Sequence, residues 1–240
     1  ITGATAGLGR AIALRLAKEG ISVIITGRRL ERLEDLEREI GVKYGTRAYP
    51  LCFDVRDYKQ VEAAISNLPE EWKNIDILVN NAGLAAGLDP IHQGSIEDWE
   101  QMIDTNIKGL LYITRVVSPL MVARKSGHIV NIGSIAGRAA YANGVVYCAT
   151  KSAVNTLNEG MRIDLLPYNV RVTQVCPGAV ETEFSMVRFK GDQQRADKVY
   201  EGYDNLEADN IADVVYYAVS QPPHVNVQDV LVMPTAQANA

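Results

Sequence analysis

Short runs of apolar residues alternate along the chain with longer stretches in which apolar positions recur every three or four residues. The runs at 21–26, 48–53, 75–79, 128–132, 170–175 and 230–233 are nearly unbroken in apolar character, as strands covered on both faces are. Between them, residues 8–19 place Leu8, Ile12, Leu16 and Ala17 on one face and stop at Gly20, which predicts a helix with a glycine C-cap. Leu30, Leu33, Leu36 and Ile40 form a stripe among Glu and Arg, predicting a second helix with a wet outer face. Longer helices are expected over 96–123, with breaks, and over 147–166, where Pro167 stops the second. Strand and helix in alternation predict an α/β fold with a parallel sheet, in a chain of 240 residues that suits one domain. Residues 183–205 carry neither period, which predicts a substrate-side loop with a short helix. Ile1 and Thr2 read as the end of a strand whose earlier part lies before Ile1.

Charge and cysteine content narrow the function classes. The net charge is −5 and no basic stripe is present, so a phosphate backbone has nothing to neutralise it and nucleic acid is not an expected partner. No apolar run approaches the ~20 residues that span a bilayer, so no membrane partner is expected. Cys52, Cys148 and Cys176 are odd in number, far apart and without a nearby His pair. That pattern argues against a disulfide framework or a metal site and for a reducing, cytoplasmic setting.

The candidate chemistry begins at once. Gly3, Gly7 and Gly9 sit in a loop, with Thr5 and Leu8, between the strand end and the first helix. Glycines there allow a tight turn and close approach to a pyrophosphate, whose charge is favoured by the free amides at the helix N-terminus. The next strand ends in Thr26-Gly27-Arg28-Arg29 rather than in an acid. Arginine without a carboxylate accommodates a ribose 2′-phosphate, which points to NADP(H) over NAD(H). Tyr147 and Lys151 are four apart and therefore share a helix face. A phenol is a poor base near neutrality unless a neighbouring cation favours its phenolate. Ser134 follows the 128–132 strand, at the carboxyl end of the sheet where ligands of such folds bind.

In order along the chain stand TGATAGLG at 2–9, Asn80-Asn81-Ala82-Gly83, Asn106, Ser134, Tyr147-Cys148-Ala149-Thr150-Lys151 and Pro177-Gly178. With these motifs the chain resembles the short-chain dehydrogenase/reductase family, from Thr2 into the last strand. The resemblance implies a single-domain Rossmann-type doubly wound parallel sheet over 1–240 that both binds the dinucleotide and carries the catalysis. It implies Tyr147 as general acid and base, Lys151 as the residue that lowers its pKa and binds the nicotinamide ribose, Ser134 as donor to the substrate oxygen, and Asn106 as holder of a relay water. It places Asp54 and Val55 at the adenine, Asn81, Ala82 and Gly83 along the cofactor channel, and Pro177, Gly178, Val180 and Thr182 at the carboxamide.

The stretches 132–151 and 177–192 are similar, more narrowly, to NADP-dependent 3-hydroxy acid dehydrogenases that act on serine, allo-threonine and 3-hydroxypropionate. This implies hydride transfer between NADP(H) and the C3 carbon of a small 3-hydroxy acid. An arginine fork matches a carboxylate bidentately, so Arg188 and Arg138 are the candidate substrate clamps. The alternative within the family is reduction of another ketone, such as a 3-ketoacyl thioester or a diketone. A homo-tetramer is also expected, packed through the two long helices.

Overall fold

The computed structural model describes residues 1–199, 202 and 204–238. In chain order the elements are α1 (Gly7–Lys18), β1 (Val23–Gly27), α2 (Leu30–Tyr44), β2 (Ala48–Cys52), α3 (Tyr58–Ser66), β3 (Ile77–Asn80), α4 (Ile96–Ile103), α5 (Leu110–Arg124), β4 (Gly127–Ile132), α6 (Val145–Leu165), β5 (Val170–Pro177), α7 (Phe184–Arg188), α8 (Gln193–Lys198), α9 (Ala208–Ser220) and β6 (Asp229–Val232). All strand pairs are parallel: β1 with β2, and β3, β4, β5 and β6 in sequence.

Residues 1–4 run between β1 and β3. Thr26 N donates to Ile1 O at 3.0 Å and Ala4 N to Thr26 O at 2.9 Å, while Thr2 N donates to Val79 O at 3.0 Å. The chain start thus hydrogen-bonds to both strands, and the glycine loop leaves from the middle of the sheet. On one face, Ile12 and Leu16 of α1, Leu33 and Ile40 of α2 and Ile211 and Val215 of α9 pack on Ile25, Val79, Val130 and Val175. On the other, Val61 and Ile65 of α3 and Ile113, Val117 and Met121 of α5 pack on Leu78, Ile129 and Val172. Helices on both faces of a parallel sheet make the fold doubly wound and put the strand carboxyl ends along one edge.

The expected elements are present, with ends moved by one or two residues. The 96–123 segment breaks at a π-helical turn, Asp104–Gly109, before α5 begins. α6 starts at Val145 and gives way to a 3₁₀ turn containing Pro167. Two helices had no counterpart in the periodicity reading. α3 is capped by Asp57, whose carboxylate accepts from Lys59 N and Gln60 N. α9 opens with a reciprocal box between Glu207 and Asn210. Both carry the local signature of a helix start, and both are short or lie beside segments without a clear period. The 183–205 segment holds α7 and α8 rather than one short helix; Tyr200, Glu201 and Tyr203 of it lie outside the described residues.

Candidate active site

The glycine loop is built by close backbone approach. Gly3 and Gly7 have φ of +67° and +51°, the left-handed region that disfavours a side chain. A Cβ on Gly9 would lie 2.3 Å from Gly3 O and 2.4 Å from Asn81 Nδ2, so α1 can begin this near the loop only with glycine. No side chain caps α1 and no acid stands in its first turn, which leaves its first amides available to an anion. Leu8 and Gly9 belong to that turn. The 80–83 turn is stitched to the loop: Asn81 N and Ala82 N each donate to Thr2 Oγ1 at 3.0 Å, and Asn81 Nδ2 donates to Thr2 O at 2.8 Å.

At the end of β1 the arginines stand beside the same loop. Arg29 Nη2 donates to Thr5 Oγ1 at 2.6 Å, and Arg28 Nη1 is 3.9 Å from Asp54 Oδ2. Val55 is buried and packs where a Cβ on Gly109 would meet it. From β5, Gly178 N donates to Val232 O at 2.7 Å and Val180 bridges Leu206. Thr182 then faces Gly7, whose Cβ would come within 3.4 Å of the threonine Cβ. Residues 177–182 therefore cross directly over the glycine loop.

α6 turns Tyr147 and Lys151 inward together; they are 8% and 6% exposed. Lys151 Nζ donates to Ile132 O at 3.0 Å and lies 5.9 Å from the centre of the Tyr147 ring. Burial lowers the Lys151 ammonium from 10.5 to about 8. Burial also pushes the Tyr147 phenol upward, helped by Tyr141, while a hydrogen bond with Ser134 and the charge of Arg188 pull it back. Ser134 Oγ accepts from Ala136 N at 3.1 Å, which fixes the serine at the end of β4. Asn106, in the π turn, accepts from Leu84 N and donates to Leu84 O, each at 2.8 Å, and donates to Thr150 Oγ1 at 3.0 Å. Gly83 joins the set, since a Cβ on it would lie 3.3 Å from Asn106 Oδ1 and 3.6 Å from Lys151 Nζ.

The two candidate clamps part company. Arg188, 7% exposed, donates through Nε to Gly87 O at 3.1 Å and stacks over Tyr141 at 5.3 Å. Its Nη2 is buried with no hydrogen-bond partner among the described residues. It lines a small pocket, about 20 Å³, together with Tyr147, Trp99 and Met102. Arg138 Nη2 instead donates to both carboxylate oxygens of Asp229 at the start of β6, 2.5 Å to each, and Arg138 is absent from that pocket's lining. The ring of Tyr141 and the carboxylates of Asp89 and Asp98 were not legible as site groups. No motif marks them, and the fold alone brings them to Arg188.

Residues 1–193 match the short chain dehydrogenase family as a whole. The chain belongs to that family. It is an oxidoreductase acting on CH–OH donors. Among its relatives, the NADP-dependent 3-hydroxy acid dehydrogenase of Salmonella typhi is 50% identical, with all of this chain and 96% of that protein covered. The NADP-dependent 3-hydroxy acid dehydrogenase of Schizosaccharomyces pombe is 41% identical over all of this chain and 93% of its own. The solved closed form of serine dehydrogenase complexed with NADP+ is 49% identical and superposes with a TM-score of 0.96, covering all of this chain and 96% of that one. This short-chain dehydrogenase therefore shares its whole described architecture with relatives of that kind.

Proposed function

We propose that the protein is an NADP-dependent 3-hydroxy acid dehydrogenase of one domain, acting on serine, allo-threonine, 3-hydroxypropionate or acids of that size. The observation that carries the substrate class is Arg188: a buried guanidinium with an unpartnered Nη2 on the wall of the pocket that contains Tyr147. A buried donor without a partner is costly, and a substrate carboxylate satisfies it bidentately. Arg138, held by Asp229, is the weaker candidate.

The residues present fit a phosphorylated dinucleotide. The uncapped start of α1, the side-chain-free approach of Gly3, Gly7 and Gly9, and Thr5 with Arg29 form a cradle for anions. Arg28, Asp54 and Val55 border its adenosine end, with Asn81, Ala82, Gly83, Pro177, Gly178, Val180 and Thr182 farther along. When bound, NADP(H) supplies the acceptor or donor of the hydride. Ser134 holds the substrate oxygen, and Tyr147 Oη takes the hydroxyl proton in oxidation and returns it in reduction. The Lys151 ammonium favours the phenolate against the burial that raises it. Asn106 keeps one Oδ1 lone pair for a relay water while its other groups hold 84 and 150 in place.

The three cysteines are free, in keeping with a reducing, cytoplasmic setting, and no helix among the described residues is long and apolar enough to cross a membrane. Ile163 and Leu166, at 67% and 66% exposed near the end of α6, are suited to a homo-tetramer contact. Light scattering on dilute protein tests it, and a monomer throughout rejects the assembly.

The deciding experiment is the initial rate of NADP reduction with the hydroxy acids and with matched alcohols lacking the carboxylate. Acids should react and alcohols should not, and Arg188→Ala should raise KM for the acids about 10- to 100-fold, as expected for a charge-assisted bond. Equal rates on both sets, or an unchanged KM in the variant, would return the substrate to another ketone such as a 3-ketoacyl thioester or diketone.

A further inference from the structure

Arg188 is not the sole charge on the pocket wall. Asp98 of α4 and Asp89, just after Gly87, line the same pocket. Gly87 is where the charges meet. Its N–H donates to Arg188 O at 3.0 Å and its carbonyl accepts from Arg188 Nε at 3.1 Å. On its other side, a Cβ would lie 3.1 Å from Asp98 Oδ2 and 3.2 Å from Asp89 Oδ2. A guanidinium and two carboxylate oxygens thus converge on a residue with no side chain, held at φ +69°.

The pairing around this point is incomplete on both sides. Lys190 Nζ is 3.0 Å from Asp98 Oδ1 and matches that carboxylate. Asp89 has no ion-pair or hydrogen-bond partner among the described residues. Across Gly87, Arg188 Nη2 is buried without a partner. A buried open donor and a solvent-facing carboxylate therefore stand on one pocket wall, within reach of a ligand that engages Tyr147.

We propose that Asp89 and Asp98 bind the α-ammonium of a 2-amino-3-hydroxy acid whose carboxylate is held by Arg188, so that the site selects hydroxy amino acids over hydroxy acids lacking the amine. This rests on the proposed function, in which Arg188 anchors the carboxylate. The ammonium and carboxylate of such a substrate leave the same carbon, one bond from the hydroxyl carbon at Tyr147. A zwitterion brings a carboxylate to the buried Arg188 Nη2 and a cation to the exposed Asp89. A plain hydroxy acid brings its negative charge toward two carboxylates with no cation of its own to offset them. Arg188, Asp89 and Asp98 are the charged groups on the wall of this pocket.

The test is kcat/KM for serine and allo-threonine against 3-hydroxypropionate and 3-hydroxybutyrate, in the wild type and in Asp89→Asn and Asp98→Asn. The wild type should favour the amino acids, and each variant should lower the ratio of amino acid to plain acid at least tenfold, mainly through KM. A ratio within twofold of wild type in Asp89→Asn overturns the proposal. So does a wild type that oxidises the plain acids and not the amino acids, and that outcome leaves the hydroxy acid reading standing. Turnover of neither class fails the hydroxy acid reading itself, and the ammonium site with it. Asp98 is buried and paired, so where Asp98→Asn fails to fold, the exposed Asp89 decides alone.

Discussion

Asn106 Nδ2 donates to Thr150 Oγ1 at 3.0 Å, and both residues are buried. The bond ties the π turn between α4 and α5 to α6 at the residue directly before Lys151, and Thr150 Oγ1 in turn donates to Tyr147 O at 2.7 Å. A π turn rotates its side chains relative to a regular helix and is frequent at functional sites. Here it aims Asn106 at the 83–85 segment as well as at α6. Asn106→Ala removes the partners of Leu84 N, Leu84 O and one Thr150 bond. Unsatisfied buried groups cost about 1–3 kcal/mol each, so urea unfolding should show a loss of several kcal/mol, with turnover falling further than stability explains. A variant as stable as wild type would remove Asn106 from the framework of the site.

Gly9 is a second place where structure forbids a side chain. Alanine there puts Cβ 2.3 Å from Gly3 O, a backbone atom that cannot turn aside. Either α1 or the 2–9 loop moves, and both shape the proposed pyrophosphate cradle. Gly9→Ala should weaken NADPH binding at least tenfold, about 1.4 kcal/mol, as read by fluorescence titration. Gly20→Ala, which meets no heavy atom within 4 Å, serves as the comparison, and its φ of +78° should lower stability without touching the cofactor Kd. Equal Kd values for the Gly9 variant and wild type would count against the cradle.

Much of this site is visible in the sequence because its parts are local. The glycine loop, the Tyr147–Lys151 spacing and the serine after β4 each depend on residues a few positions apart, and a helix or strand period places them. Arg28 and Arg29 are legible for the same reason, standing at the end of a strand. The substrate side is assembled from afar: Gly87 and Arg188 are paired across 101 positions, and Arg138 is drawn to Asp229 across 91. No periodicity records such contacts, so sequence offers both arginines, Arg188 first and Arg138 second, and only the fold separates their surroundings. α3 and α9 were missed for another reason. Their caps at Asp57 and Glu207 and the apolar face of α9, Ile211, Ala212, Val215, Ala218 and Val219, are present in the sequence, and the reading of strands and long helices passes over them.

In the proposed function, cofactor choice is assigned to Thr5, Arg28 and Arg29. Arg29 donates twice to Thr5 Oγ1, at 3.1 and 2.6 Å, and is about half exposed, as is Arg28. Glu183 Oε2 stands 3.5 Å from Arg29 Nη1, a carboxylate where a phosphate would bring more charge. Wild-type Kd values should favour NADPH over NADH by tenfold or more. Arg28→Ala and Arg29→Ala together should bring the two within about threefold by weakening NADPH alone, and added salt should narrow the wild-type gap because exposed charges are screened. Parity in the wild type would mean that the arginines face away from the nucleotide.

Lys151 sets a pH dependence whose sign can be worked out. Burial lowers its ammonium from 10.5 to about 8, while the unfolded chain keeps the ordinary value. Between pH 8 and 10.5 the unfolded chain therefore binds the extra proton, and stability rises with pH across that window. Below about pH 8 both states are charged and the fold carries the full penalty, about 3 kcal/mol at about 1.4 per pKa unit. Tyr147 works against this at the upper end. Its buried phenol lies above the ordinary 10.0, so the unfolded chain loses that proton first and the Tyr147 contribution falls once pH passes 10. The net rise is thus confined to pH 8–10. Lys151→Met keeps the apolar stem and removes the buried cation, at the loss of one hydrogen bond to Ile132 O worth about 1 kcal/mol. At pH 7 the variant should be more stable than wild type by about 2 kcal/mol, the gap should close toward pH 10, and turnover should fall by about 10²-fold or more. Urea titrations at pH 7, 8.5 and 10 measure the stability gap and initial rates the turnover; a gap that does not change with pH would show that Lys151 is not the group whose burial opposes folding.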